Sequence, residues 1–427
     1  MIILDADMIK ILNNRLKSLG PGILFASTAI GVSHLVQSTQ AGANYGLSLL
    51  WAIIIANVLK YPFFEYGSRY ANITGTSIID GYEKLGNWAI WMYFIITILS
   101  MFLVSAAVGF VTSGFMQNLF GIESSLLTTG ILFSICGAIL AMGQYNILDK
   151  LIKIIGVVLI LTTLITFITV LYNGPISKQN LFSEDWLPLD DTSKMFFILA
   201  LMGWMPTAVD LSAWNSLWTI ERIKQTKYKP SLKETLFDFN FGYLSSAILS
   251  ICFVVMGAFI IYGTTQTLPN NASGFANGII GLYTSTIGDW AYIIIASAAF
   301  SIMFGTCIAV FDGYGRALQR TTQILIQKTT DKKHNWYVSS VLITIGGTLI
   351  LIVFFQDSSF GIKGLVNLAT SLSFIIAPII GLFNILLVRK KYLNDQTPPL
   401  WNRLLSYLGM IYLTGFSLYF IYLNVFG

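Results

Sequence analysis

Long runs of apolar residues, separated by short polar stretches, set the pattern of this chain. Each run is about 20 residues long, which is the length a helix needs to cross the hydrocarbon core of a bilayer. The pattern therefore predicts eleven transmembrane helices. Their approximate limits are residues 21–44, 47–68, 88–112, 125–143, 152–172, 195–219, 239–263, 289–311, 336–355, 364–388 and 400–426.

The polar stretches between these runs leave no room for a separate soluble domain. We therefore expect one transmembrane domain over residues 1–427. Two of the stretches, at 264–288 and 312–335, are each long enough to carry a short helix.

Composition agrees with this pattern. Hydrophobic residues make up 55% of the 427 residues and charged residues only 11%, with a mean hydropathy of +0.71, whereas soluble domains carry about 25% charged residues. The three cysteines lie far apart inside apolar runs, which argues against a disulfide framework or a zinc site. The expected fold class is an all-α polytopic membrane protein.

The distribution of Lys and Arg predicts the orientation. With a cytoplasmic N-terminus, nearly all of the 25 Lys and Arg residues fall on the inner side, as the positive-inside rule requires. The exceptions are Lys60, Lys178, Lys194 and Lys363. Because this topology explains the net charge of +5, the charge gives no reason to expect nucleic acid as a partner. We expect an integral protein of a bacterial inner (plasma) membrane.

Two predicted helices are interrupted near their middle by small, polar and helix-breaking residues, at 31–34 in the first and 203–207 in the sixth. These places correspond in the two halves of the chain, which predicts repeats at about 20–172 and 195–388 and an extra helix at 400–426. Hydrocarbon cannot satisfy the backbone groups that a break exposes, so a break survives only where it lines a cavity. Matched broken helices indicate the substrate site of a secondary transporter working by alternating access.

Several motifs near these breaks resemble the NRAMP family of divalent metal transporters. The motifs are Gly20-Pro21-Gly22-Ile23-Leu24-Phe25, Gln40-Ala41-Gly42-Ala43, Leu50-Trp51, Tyr70-Ala71-Asn72-Ile73-Thr74-Gly75 and Met205-Pro206. The resemblance implies a leucine-transporter-like 5+5 inverted repeat with helices 1 and 6 broken. It also implies import of manganese or ferrous iron together with protons.

The chain departs from the family pattern at the residues that carry the chemistry. Gly31 stands where the family has a metal-ligating Asp, His34 where it has a ligating Asn, and Thr207 where it has the His after Met-Pro. Residues 88–122, which cover the third helix, contain no Asp or Glu. In the family, carboxylates of this helix are linked to proton movement. This chain has no carboxylate there, so that proton pathway is not expected.

A relocated metal site is one interpretation of these changes. His34, Met205 and Asp210 supply a nitrogen, a thioether and a carboxylate, which borderline transition metals accept. A charged residue in a transmembrane segment usually faces a partner or a cavity, which singles out Asp210. The predicted substrate-binding residues are Gly31, Ser33, His34, Met202, Met205, Thr207 and Asp210.

Lys60 and Glu65 form a second unusual pair, in the predicted second helix beside Pro62. A gate at the inner mouth, or coupling of cargo to a second ion, would use such charges. The alternative is structural, with a snorkelling lysine and an ion pair between Glu65 and Arg69 four residues later.

The expected function is transport of an inorganic cation, a divalent metal ion, by an NRAMP-like secondary transporter with a remodelled site. The alternatives are a sodium-coupled or uncoupled transporter of a small organic solute, with Asp210 binding an ammonium group or the coupling ion, and a ligand-binding sensor. Motifs of proteases, esterases and ATPases are absent from the sequence, so an enzyme is not expected. No resident cofactor is expected; the partners are the bilayer, the cargo and a coupling sodium ion or proton. The sequence makes no prediction of oligomeric state.

Overall fold

The structure is a computed structural model that describes residues 19–142, 144–182, 191–264, 269, 271–327, 333–356 and 361–426. Helices form nearly all of these residues. In the first half they are α1 (Pro21–Ala29), α2 (Thr39–Tyr45), α3 (Leu50–Thr74), α4 (Ile78–Leu85), α5 (Asn87–Phe120), α6 (Ser125–Met142) and α7 (Gln144–Asn173).

The second half continues the helical pattern. It contains α8 (Thr192–Trp204), α9 (Leu211–Thr226), α10 (Leu232–Ile260), α11 (Ala272–Ile287), α12 (Tyr292–Leu325), α13 (Lys333–Gln356), α14 (Gly361–Leu387), α15 (Lys390–Leu393) and α16 (Leu400–Phe426). Each of the eleven predicted spans corresponds to one long helix or to one pair of half-helices, α1 with α2 and α8 with α9. The prediction of an all-α fold with about eleven transmembrane helices is confirmed.

The outer surface of the bundle is apolar, as a lipid-facing surface must be. Seven helices among the described residues are long and apolar enough to cross a membrane by length and composition. Large side chains such as Leu99, Ile350, Phe354 and Ile411 are more than half exposed, while many polar side chains are buried inside the bundle. Apolar residues outside and polar residues inside are the arrangement expected of a membrane protein with a polar interior site.

The packing places both broken helices at the centre. Helix α10 packs against α1, α2 and α3, and α12 packs along the length of α5 and also contacts α1 and α9. Helix α14 covers α8 from the other side. The two interruptions are therefore enclosed by helices that are themselves continuous.

The polar stretch at 264–288 contains a helix, α11, as predicted. The polar stretch at 312–335 is also helical as far as Leu325, because α12 runs on from the predicted span at 289–311 without a break. Within this continuous helix the buried Asp312 is well satisfied: Arg316, one turn later, pairs with it at 2.8 Å, and Trp218 and Tyr337 each donate a hydrogen bond to it. These contacts let charged residues stay in a continuous helix.

Helices α1 and α10 approach each other through glycines. A Cβ on Gly242 would lie 1.9 Å from the carbonyl oxygen of Gly22, and a Cβ on Gly22 would lie 1.9 Å from that of Asp238. The Asp238 carboxylate accepts hydrogen bonds from the backbone N–H groups of Gly20 at 3.1 Å and Gly22 at 2.7 Å. This carboxylate caps the N-terminus of α1 and fixes the first half-helix against α10.

Replacing Gly242 by Ala should therefore lower the stability of the protein. The added methyl group meets backbone atoms of α1, which cannot move as a side chain can, and overpacking of this kind costs about 1–3 kcal/mol. The matched control is Gly346→Ala in α13, where a Cβ meets no atom within 4 Å. Thermal unfolding of the purified protein in detergent should show a lower melting temperature for Gly242→Ala only. Equal melting temperatures for the two variants would contradict this packing.

Candidate functional site

The first break begins where α1 ends at Ala29. Ile30 and Gly31 form a bend, and a π-helical segment, Ser33–Ser38, leads into α2. The predicted interruption at 31–34 therefore coincides with the end of regular α-helix. A π-helical segment inside a helix is frequently found at functional sites.

Hydroxyl groups of one distant residue and one local residue satisfy the carbonyls of this break. The Thr306 hydroxyl of α12 donates a hydrogen bond to the carbonyl of Ser27 at 2.8 Å, and lies 3.4 Å from that of Ile30. The Ser33 hydroxyl donates to the carbonyl of Ala29 at 2.7 Å and lies 3.3 Å from that of Pro206. Ser33 thus connects the first break to the second.

Thr306 also fills the space beside Gly31. A Cβ on Gly31 would lie 2.6 Å from both the hydroxyl oxygen and the methyl carbon of Thr306. The backbone at Gly31 can therefore approach α12 only because it carries no side chain.

The second break runs from the end of α8 at Trp204 to the start of α9 at Leu211. Met205 is extended, and the peptide bond between Met205 and Pro206 is cis. The Trp204 indole donates a hydrogen bond to the Ser373 hydroxyl of α14 at 2.9 Å, which holds the end of α8 in place. The predicted interruption at 203–207 is thus present, shifted toward Asp210.

A cavity lies between the two breaks and helices α5 and α12. Its polar lining consists of Thr28, Ser33, Thr207, Asp210, Thr306 and Tyr314, with Trp204 and Trp214 among the other lining residues. The space open to the centres of water-sized molecules is about 30 Å³, which is room for about two water molecules. This volume suits a small ion.

Asp210 is the single carboxylate among the residues that line this cavity. It lies at the start of α9 and is only 4% exposed. The Tyr314 hydroxyl of α12 donates a hydrogen bond to it at 3.2 Å. A buried carboxylate in a cavity between broken helices is suited to binding a cation.

Only some of the other predicted site residues line the cavity. Ser33 and Thr207 line the cavity together with Asp210, whereas Gly31, His34, Met202 and Met205 do not. Both ring nitrogens of His34 have polar neighbours, since Nε2 donates to the Ser246 carbonyl at 2.9 Å and Nδ1 lies 2.8 Å from the Ser33 hydroxyl oxygen. The ligand set of His34, Met205 and Asp210 is not assembled in this conformation and stays a prediction.

Lys60 and Glu65 do not pair with each other. The Lys60 ammonium donates to the carbonyls of Met202 at 2.8 Å and Gly203 at 2.6 Å, at the second break. Glu65 instead forms a buried ion pair with Arg69 at 2.6 Å, one turn further along α3. Glu65 thus forms the structural ion pair that was the alternative, while Lys60 contacts the second break.

Sequence reasoning missed Thr306 and Tyr314, both contributed by α12. Neither is a charged residue or a helix breaker, so no local signal distinguishes them in an apolar run. Among the residues that the structure describes, no three His, Cys, Asp or Glu side chains are grouped closely enough to hold a metal ion. The side-chain oxygen atoms of the residues that line the cavity come from hydroxyl groups and one carboxylate.

Comparison with known proteins decides the family. Residues 22–423 match the model of the natural resistance-associated macrophage protein-like family, Nramp. The chain belongs to the Nramp family. This confirms the resemblance that the motifs around the two breaks indicated.

Three relatives illustrate how far the Nramp similarity extends. A protein of Pasteurella multocida, described as uncharacterized, is 34% identical over 96% of this chain and 93% of its own length. The divalent metal cation transporter MntH of Listeria welshimeri is 20% identical over 95% of this chain and 90% of its own. The crystal structure of the Eremococcus coleocola manganese transporter has 14% sequence identity and a TM-score of 0.74, and covers 98% of this chain and 88% of that one. The predicted leucine-transporter-like fold is thereby confirmed.

Restoring even one carbon at Gly31, where the family has an Asp, should destabilise this Nramp protein. Gly31→Ala places a Cβ against Thr306 and should lower the free energy of unfolding by about 1–3 kcal/mol. Gly130→Ala in α6 is the control, because a Cβ there meets nothing within 4 Å. Thermal unfolding should show a loss for Gly31→Ala that Thr306→Ser partly restores. An unchanged melting temperature for Gly31→Ala would show that Thr306 does not close this space.

Proposed function

We propose that this chain is a secondary transporter that moves a divalent metal ion across the membrane by alternating access through the cavity beside Asp210. Membership of the Nramp family supports transport, and the named functions of relatives, a divalent metal cation transporter and a manganese transporter, support a metal cargo. In this proposal, as in the sequence prediction, the metal ion is cargo and the protein holds no resident cofactor.

The observation that carries the proposal is the enclosure of Asp210 in a small cavity between two broken helices. One full negative charge attracts a cation, and the surrounding hydroxyl and carbonyl oxygens replace part of its hydration shell. The space beside Asp210, with room for about two water molecules, suits a small ion better than an organic solute in this conformation. The organic-solute alternative would require the cavity to expand.

The chemistry of the lining favours a hard cation. Oxygen ligands suit Mg²⁺ and Mn²⁺, whereas thiolate, thioether and imidazole ligands suit softer metals. The polar lining consists of hydroxyl groups and the Asp210 carboxylate. We therefore propose Asp210 as the charged ligand, with Ser33 and Thr207 as neutral oxygen ligands. His34 and Met205 would join only if another conformation turned them toward the cavity.

The remaining parts of the proposal concern topology. We propose that the N-terminus is cytoplasmic, since nearly all Lys and Arg residues then lie inside, and that the membrane is a bacterial plasma membrane. The two repeats at about 20–172 and 195–388, with the extra helix at 400–426, would then form one transmembrane domain over residues 1–427. Rocking of the repeats against each other would expose Asp210 alternately to the two sides.

Asp210→Asn should abolish the response of the protein to its cargo metal. A ligand that binds only the folded protein raises the melting temperature, so wild-type protein should be stabilised by MnCl₂ or MgCl₂, while Asp210→Asn should need roughly tenfold more metal or show no response. Asp395→Asn is the control, because Asp395 is exposed and forms an ion pair with the exposed Lys390. Uptake of the same metal into proteoliposomes should fall in parallel.

The alternatives give different results in the same assay. If no divalent metal raised the melting temperature of wild-type protein while a small organic solute did, the assignment of cargo would be reversed. An equal metal response from wild type and Asp210→Asn would show that the metal binds away from the cavity.

A further inference from the structure

Lys60 presents a problem that the transport site alone does not explain. Its side chain is completely buried in the middle of α3. A charged group at this depth needs hydrogen-bond acceptors or an opposite charge within the protein, because no water is present to solvate it. The contacts of the ammonium group therefore show what this lysine is for.

The partners of the ammonium are main-chain carbonyls at the second break. Nζ donates to the carbonyls of Met202 at 2.8 Å and Gly203 at 2.6 Å, and lies 3.5 Å from that of Thr207. The first two belong to the last turn of α8, where helix carbonyls have no partner within the helix. The third lies within the break, so the ammonium links the end of α8 to the interrupted segment that follows it.

This position is electrostatically suited to any small cation. The C-terminal end of a helix carries partial negative charge, and unwound carbonyls of broken transmembrane helices coordinate cations such as Na⁺. The Phe374 ring of α14 lies with its centroid 5.8 Å from Nζ. The opposite charge of Asp210 also attracts the ammonium.

The site has the features of an occupied cation site whose cation is covalently attached. Three carbonyl oxygens converge on one positively charged nitrogen, and the side chain of Lys60 is fully buried. The carbonyls carry no net charge and accommodate a single positive charge. An ion that replaced the ammonium would therefore be monovalent.

We propose that the Lys60 ammonium is a tethered cation that fills a monovalent-cation site at the second break, in place of a bound alkali-metal ion. The protein then holds the broken helix together without Na⁺ or K⁺. Removal of the ammonium opens this site to an alkali cation from solution.

The proposal has a consequence for coupling, which rests on the proposed transport function. When Lys60 and Asp210 are both charged, the pair contributes no net charge before the cargo metal binds. The ammonium already occupies the carbonyls at the second break, so no carbonyl site is vacant there for an alkali ion. Metal transport would then not depend on Na⁺ or K⁺. The cation site itself does not rest on transport and is tested without a transport assay.

Lys60→Ala tests the site directly. The variant removes the ammonium and leaves space for an ion at the Met202 and Gly203 carbonyls. Its melting temperature should be lower than that of wild type in N-methylglucamine chloride and should rise, saturably, when Na⁺ or K⁺ replaces N-methylglucamine at constant ionic strength. Wild type should show no such rise, because its site is already filled.

Two further variants separate a cation site from a general packing defect. Lys60→Met removes the charge but fills the space, so it should be destabilised without recovery by Na⁺ or K⁺. Lys84→Ala removes an ammonium that lies over the Tyr70 ring on the exposed side of α4 and should give no alkali-specific shift. Recovery of Lys60→Ala and Lys60→Met to the same extent would overturn the proposal, because it would reflect a general salt effect.

Wild-type protein provides a test even where Lys60→Ala does not fold. Its melting temperature should be the same in Na⁺, K⁺ and N-methylglucamine at equal ionic strength, because the site is already filled. A saturable alkali-specific stabilisation of wild type would overturn the proposal, as would a folded Lys60→Ala without an alkali response. The metal response of wild type is measured separately, so failure of the proposed function and failure of this inference are distinguishable.

Discussion

The structure depends on satisfying main-chain carbonyls where two helices stop inside the membrane. Hydrocarbon offers no hydrogen bonds, and each unsatisfied buried group costs several kcal/mol. The chain meets this requirement with side chains from distant segments, Thr306 at the first break and Lys60 at the second, and with the local hydroxyl of Ser33 at the first break. The breaks are therefore stable features of the fold, and they can border a cavity without collapsing into regular helix.

The same contacts determine the charge balance of the site. Lys60 satisfies the end of α8, while Asp210 at the start of α9 lines the cavity with Tyr314 as its hydrogen-bond donor. A positive and a negative group thus stand at the two ends of one interruption. The carbonyls at the end of α8 accept hydrogen bonds from the Lys60 ammonium, and the Asp210 carboxylate is the charged group that lines the cavity proposed for the cargo.

Much of the fold could be predicted from the sequence because membrane helices leave a strong local signal. The length of the apolar runs predicts the transmembrane spans. Glycine and proline near the middle of two spans predict the breaks, because these residues are poor at continuing a helix. Asp210 could be singled out because a carboxylate is rare in such a run. These features depend on residues close together in the chain.

The remaining parts of the site depend on contacts between distant residues. Thr306 and Tyr314 carry no local signal that separates them from other residues of α12. Lys60 reaches carbonyls 142 and 143 residues away, so the sequence suggested an inner gate with Glu65 instead. His34 turns toward Ser246 of α10 within the π-helical segment, a local geometry that residue spacing does not reveal.

The most direct test of the account is the position of bound Mn²⁺ in crystals of the protein, located by anomalous X-ray scattering. The account predicts a peak in the cavity between the two breaks, in contact with the Asp210 carboxylate. A peak elsewhere in the protein with none beside Asp210, or electron density showing the first and sixth transmembrane segments as unbroken helices, would contradict it.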